Sequence, residues 1–246
     1  MVSPLLAIVA GVGPGAGAAI ARKFASVYPV VCLARSEKSF DGVVAEINST
    51  GGKAIGVATD ITSSASVTAA MATIAQEFGK DFGLSAAIFN AGGQFSRKSF
   101  LELSEDEFKT GYNVPGNGAF HFAKATMPLL LASVPKSQHP PSLIFTGATA
   151  ALKSSSHMAA FAPGKWMQRS LAQSLAKEFG PQGVHVSHTI IDGFIDTPAV
   201  REFTKINNPD VLIQPEAMAE AYWYLHAQPK NCFTWELDLR PSEEKW

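Results

Sequence analysis

Apolar and polar positions alternate along this chain with two different periods. Short, nearly continuous apolar runs are bounded by glycine, proline and small polar residues. Between them lie longer stretches in which apolar side chains recur every three or four positions. The short runs predict buried parallel strands and the longer stretches predict amphipathic helices. Leu5–Ala10 predicts a first strand, followed by a glycine turn and a helix through 16–27. Val30–Ala34 predicts a second strand, and 40–50 a helix that Gly51 and Gly52 stop. A third strand lies within 53–60. Residues 63–79 predict a helix with a serine cap and a glycine stop, and 84–90 a fourth strand. Ser104 and Glu107 carry the Ser-x-x-Glu pattern of a capping box. A helix over 116–133, a polar proline-rich loop over 134–142 and a fifth strand over 143–147 come next. Then follow a helix over 160–179, a sixth strand within 183–191, a helix within 214–228 and a last strand within 232–239.

Strands alternating with helices of this length imply βαβ units. The fold class is therefore α/β: a single doubly wound Rossmann domain over 1–246, with a parallel sheet of about seven strands flanked by helices. No linker or repeat divides it. The stretch 196–215 is short and polar and predicts a modest flexible flap over the site. In such sheets ligands bind beyond the carboxyl ends of the strands. That rule directs attention to Gly11–Gly17, Ala34–Ser36, Asp60, Asn90–Gly93, Thr146–Thr149 and Asp192–Thr197.

Composition acts mainly by exclusion. With 46% hydrophobic and 17% charged residues and a net charge of −1, the chain has an ordinary globular balance. It offers no electrostatic reason to bind nucleic acid or an acidic membrane. No apolar run approaches the ~18 residues of a membrane span. The first residues lack a basic segment and run into glycines, which fits a strand better than a signal peptide. Cys32 and Cys232 are too few and too distant for a disulfide framework, and read as buried free thiols in a reducing cytoplasm. No metal site is read.

Glycines at 11, 13, 15 and 17 lie between a predicted strand and a predicted helix, the context that a dinucleotide turn requires. Glycine lets the backbone approach a pyrophosphate, and the helix N-terminus points N–H groups at it. The end of the second strand reads Ala34, Arg35, Ser36. An NAD site usually has an acidic residue there. Here the acid is absent and Arg35 offers a planar fork suited to a phosphate, which favours NADP(H).

Together these features resemble the short-chain dehydrogenase/reductase family. Gly11, Gly15 and Gly17 match its glycine turn, with Ala10 in place of the usual threonine. The resemblance implies that Asp60 reads the adenine and that Asn90 supports the fourth strand beside the ribose. It implies that Asn113 kinks a helix and serves a proton relay, and that Lys165 grips the nicotinamide ribose. Thr197, in Asp-Gly-Phe-Ile-Asp-Thr, would meet the carboxamide, with Asp192 at the usual proline. Relatives of this kind form dimers and tetramers through helices near 116–133 and 160–179, so a homodimer or homotetramer is implied.

Two residues depart from that pattern. The tyrosine position holds Phe161 and the serine position holds Ala148. A phenyl ring cannot give or take a proton, a function worth about 10²–10⁴ in rate. The serine's hydrogen bond to the same oxygen is worth roughly 10²–10³. Three readings stay open. A substitute acid could act, with His157 in a loop as the first candidate and Thr146, Thr149 and Asp192 as others. The substrate could be an imine, a polarised C=C or another small molecule that needs no tyrosine, including the substrate of a non-redox cyclase or isomerase. Or the chain could bind NADP(H) and be catalytically silent. His185 and His188 fall within a central strand and read as satisfied core or sheet-end residues. Tyr222, Trp223 and Tyr224 read as core or interface, and Trp246 could reach a neighbouring subunit or pocket.

Overall fold

Along each strand, side chains point alternately to opposite faces of the sheet, so an apolar run buried on both faces needs no polar positions. The computed structural model describes residues 4–93 and 95–244. Among them, β1 (Leu5–Ala10), β2 (Val30–Ala34), β3 (Ala54–Ala58), β4 (Gly83–Phe89), β5 (Ser142–Thr146), β6 (His185–Ile191) and β7 (Glu236–Leu239) form one sheet. Their spatial order is β3-β2-β1-β4-β5-β6-β7, and every pairing is parallel. Leu6, Ile8, Phe89 and Phe145 pack on one face against α3 (Ser64–Phe78), α5 (Ala119–Ser133) and α6 (Ala162–Phe179). Ala7, Val9, Ile88 and Ile144 pack on the other against α1 (Ala16–Ala25), α2 (Asp41–Ser49) and α8 (Pro215–His226). The strand order reverses between β1 and β4, the switch point above whose carboxyl ends sheets of this kind bind their ligands.

Local chemistry sets most boundaries as the sequence implies. Ser63 accepts from the Ser66 N–H, and Ser104 and Glu107 form the full capping box of α4 (Glu105–Tyr112). Three boundaries differ. Asn113–Gly118 forms a wide π-helical turn, so α5 starts at Ala119 rather than 116. Pro115 brings no N–H to that turn, and glycines let it press on its neighbours. A Cβ on Gly111 would lie 1.7 Å from Ala160 O, and one on Gly116 would lie 2.7 Å from Met167 Sδ. α6 starts at Ala162, with Phe161 as its cap and Pro163 in its first turn. β7 starts at Glu236, because Gln228 brackets Thr234 with two bonds, donating to its hydroxyl and accepting from its N–H.

Cys32 is buried, but Cys232 is exposed in the turn before β7, contrary to the expectation that both are covered. His188 corrects the expectation of a satisfied core histidine. Its Nδ1 faces Glu236, while its Nε2 is buried without a described partner. Successive residues on a helix point about 100° apart, so the three aromatics of α8 part company. Tyr222 is wholly buried, Trp223 half-buried and Tyr224 exposed. The stretch 196–215 holds α7 (Pro198–Thr204), and Arg201 pairs with Asp196 at 2.5 Å to tie the segment to itself. Among the described residues no helix is long and apolar enough to cross a membrane. Trp246 lies outside the described residues.

Candidate active site

The glycine turn is shaped by contacts that no side chain would allow. Gly11 has φ +92°, and a Cβ there would lie 2.5 Å from Ala91 N. A Cβ on Gly17 would lie 2.3 Å from Gly11 O, so α1 packs directly on the turn. One on Gly15 would lie 2.7 Å from Thr197 Cγ2, which brings the loop after β6 onto the turn. A Cβ on Gly13 would meet nothing within 4 Å, so that side of the turn is open. α1 begins at Ala16 and directs its positive end at the same opening.

Asn90 joins the strand ends. Its Nδ2 donates to Gly11 O at 3.0 Å, and its Oδ1 accepts from Thr146 Oγ1 at 3.0 Å. Because the Thr146 proton goes to Asn90, the Tyr222 hydroxyl donates to Thr146 at 2.7 Å. A chain of donors therefore runs from α8 through Tyr222, Thr146 and Asn90 to the glycine turn. Thr189 Oγ1 lies 2.7 Å from the Tyr222 hydroxyl and completes its surroundings.

Arg35 and Ser36 follow β2 and are exposed. Asp60, after β3, accepts from the Thr62 N–H and hydroxyl. Those bonds, and then the Arg35 guanidinium, hold its carboxyl below the usual carboxylate range. Arg35 and Asp60 therefore share one end of the crevice.

Lys165 lies one turn into α6 and is buried. Its Nζ donates to Thr146 O at 3.1 Å and approaches Gln168 Oε1 at 3.5 Å. Burial lowers its pKa to about 8. Phe161 caps the same helix, half-buried, with its ring 5.4 Å from that of Phe95 in a T-shaped pair. Ala148 follows β5 in extended backbone. Asn113 opens the π-helical turn, and its Oδ1 accepts from Asn117 Nδ2 at 2.9 Å. No described hydrogen bond joins Asn113 to Lys165. His157 lies exposed in the loop before α6 with φ +67°, and its carbonyl accepts from the Lys98 N–H. Among the described residues its ring is not bonded to Lys165.

Thr197 caps α7, accepting from the Val200 N–H. Just before it, the buried Asp192 accepts from the Thr149 hydroxyl and pairs with Arg240 at 3.0 Å. Asp192 and Thr149 thus serve each other and the C-terminal segment. Sequence reasoning passed over Gln168, Arg169, Glu236 and Arg240. A faint signal was present in the alternating charges of Glu236, Asp238 and Arg240, since a strand places such residues on one face.

A parallel sheet with this order, a glycine turn at its switch point and a buried α6 lysine whose ammonium meets the end of β5 define a dinucleotide-dependent class of enzyme. Residues 5–208 match the short chain dehydrogenase family, and the chain belongs to that family of oxidoreductases. It is similar to the short-chain reductase protein NovJ of Streptomyces niveus, 29% identical over 201 residues, which cover 81% of this chain and 72% of that one. A solved short-chain dehydrogenase from Rhodopseudomonas palustris aligns with a TM-score of 0.78 at 31% identity, over 96% of this chain and 98% of that one. A metagenomic short-chain oxidoreductase in complex with NADP shares the fold, with a TM-score of 0.78 at 22% identity over 97% of each chain.

Proposed function

We propose that this chain is an NADP(H)-dependent oxidoreductase that reduces a small organic substrate, an imine, a polarised C=C or a carbonyl, without a tyrosine acid. The observation that carries the reading is the pairing of a preserved cofactor side with a hydrocarbon substrate side. The glycine turn, Asn90 and the buried Lys165 share the carboxyl edge of the sheet, while Phe161 and Ala148 bring no hydroxyl to it.

The residues fit the cofactor. Gly11, Gly15 and Gly17 form a close-packed cradle, and the open face at Gly13 leaves room for a pyrophosphate at the α1 N-terminus. Arg35 would bind the 2′-phosphate with Ser36 beside it, while Asp60 holds the adenine end. Lys165 would grip the nicotinamide ribose, and Thr197 would meet the carboxamide. Bound NADPH supplies the hydride. The Phe95–Phe161 pair lends the substrate face an apolar corner. Any proton the product needs comes from solvent or from His157 on the adjoining loop, with Asn113 as a further polar group near the start of α6. Exposed Phe120 on α5 and Trp166 and Met167 on α6 support a homodimer or homotetramer.

NADPH oxidation against a panel of imines, enones and ketones tests the reading. Turnover should appear with at least one class and fall about 10²-fold or more in Lys165→Ala. NADPH affinity should drop about tenfold or more relative to NADH in Arg35→Ala. Tight NADPH binding with no turnover would favour a catalytically silent binder. Failure to bind either nucleotide would overturn the cofactor assignment.

A further inference from the structure

Three hydroxyls lie inside the sheet's α8 face, where apolar groups would pack as well. Thr146 ends β5 on the same face as Ile144, two residues before it, which belongs to the α8 side of the core. Thr189 stands beside it in the β5–β6 register, and Tyr222 of α8 covers both, 2.7 Å from each hydroxyl. All three residues are buried, Thr189 and Tyr222 wholly. Thr146→Val, Thr189→Val and Tyr222→Phe together would keep these shapes and bring no polar atom inside. Such exchanges are close to neutral when all the partners are replaced at once. Packing alone therefore does not call for the trio, and its far end supplies the reason.

The direction of each bond follows from counting protons. Asn90 Nδ2 donates to Gly11 O at 3.0 Å, so Oδ1 is the atom turned to Thr146, and it can only accept. The single hydroxyl proton of Thr146 goes there. Thr146 Oγ1 then accepts from Tyr222, and Tyr222 accepts from Thr189. Thr146 has no proton left to give a substrate. Its carbonyl meanwhile accepts from the Lys165 ammonium at 3.1 Å. One residue thus meets both parts of the cofactor side: the lysine through its backbone, and the glycine turn through its side chain and Asn90. The turn is held at a crowded point. A Cβ on Gly17 would lie 2.3 Å from Gly11 O, so that oxygen sits directly against the first turn of α1. Holding it from the Asn90 side sets where the glycine turn stands against the helix.

We propose that Thr146 is a positioning residue for the dinucleotide, and that Thr189 and Tyr222 keep its hydroxyl aimed at Asn90. The proposal rests on the glycine turn being the pyrophosphate cradle. It also separates two functions of one residue. Thr146→Val leaves the carbonyl, and with it the Lys165 contact, in place and releases only the turn. The pyrophosphate is common to NADPH and NADH, so the loss falls on both alike, unlike that of Arg35→Ala.

The test is hydrogen exchange across residues 11–17 of the cofactor-free protein, followed by mass spectrometry, with NADPH and NADH titrations alongside. Thr146→Val should speed exchange in the turn, with α2 and α3 exchanging as before, and weaken both nucleotides by about tenfold. Thr146→Ser restores the hydroxyl and should bring both readouts most of the way back. Tyr222→Phe leaves the Thr146–Asn90 bond and should stay closer to native than Thr146→Val. A purely structural role would lower Tm and leave exchange and affinity in the folded protein as they were. A folded Thr146→Val with native exchange in the turn and native affinities would overturn the proposal, and so would a Thr146→Ser that behaves like Thr146→Val. If Thr146→Val does not fold, Thr146→Ala against Thr146→Ser decides, because those two differ by the oxygen alone. A native protein that binds neither nucleotide would refute the cradle assignment, while exchange in the turn would still judge its link to Thr146.

Discussion

Replacing Tyr222 by phenylalanine removes one oxygen from the centre of the protein and leaves its shape unchanged. That oxygen is wholly buried, 2.7 Å from Thr146 Oγ1 and 2.7 Å from Thr189 Oγ1. Neither threonine is stranded by the change. Thr146 still donates to Asn90, and Thr189, whose proton goes to Tyr222 in the native protein, turns to Phe145 O at 3.2 Å. The cost is therefore that of two hydrogen bonds partly made good elsewhere, about 1–2 kcal/mol rather than the larger penalty of orphaned groups. In a chain of this size that lowers Tm by roughly 2–8 °C. Burial pushes the Tyr222 hydroxyl up to about 12. A folded-state pKa above the unfolded one stabilises fully below the unfolded value, near 10, and is lost as pH rises through the folded value. The gap between the two proteins should hold constant from pH 6 to about 9 and narrow between about 10 and 12. Thermal unfolding followed by circular dichroism at several pH values measures both. A Tyr222→Phe protein as stable as the native one at pH 7 would refute the donor chain as drawn.

Two glycines of the same turn should separate stability from cofactor binding. Gly17→Ala places a Cβ against the Gly11 carbonyl, which is backbone and cannot step aside, so it should cost about 1–3 kcal/mol and be visible as a lowered Tm. Gly13→Ala meets open space, so its Tm should stay near native while NADPH affinity falls by titration. The double change Phe161→Tyr with Ala148→Ser should raise NADPH-dependent ketone reduction by about 10²-fold or more, measured at 340 nm. A flat result in a folded, NADPH-binding protein would mean that the two hydroxyls are not the only obstacle to ketones.

Patterning was enough to read the strands, because both faces of the sheet are covered and every strand position from Leu6 to Ala10 could be apolar. Caps at Ser63 and Ser104 were legible for a similar reason, since their partners lie three residues away. The glycine turn was legible from its place between a strand and a helix. Asn113 shows the limit. Its position was readable, but the π-helical turn that holds it depends on Gly111 and Gly116 meeting Ala160 and Met167, roughly fifty residues away in sequence.

By itself, then, the sequence determined the α/β class, the place of the crevice and the hydrocarbon character of Phe161 and Ala148, because these follow from side-chain period, turn chemistry and residue type. Only the tertiary structure decided which polar groups meet. His188 read as an ordinary core residue until the sheet brought Glu236 to one ring nitrogen and Gly147 to the other, with Lys165 gripping the adjoining peptide. The C-terminal Arg240 was likewise unremarkable until it reached Asp192. The physical reason is range. Helix and strand periods are set by neighbours a few residues apart, whereas the tautomer of a buried imidazole and the charge of a buried lysine are set by whichever distant groups the fold places within about 3–4 Å.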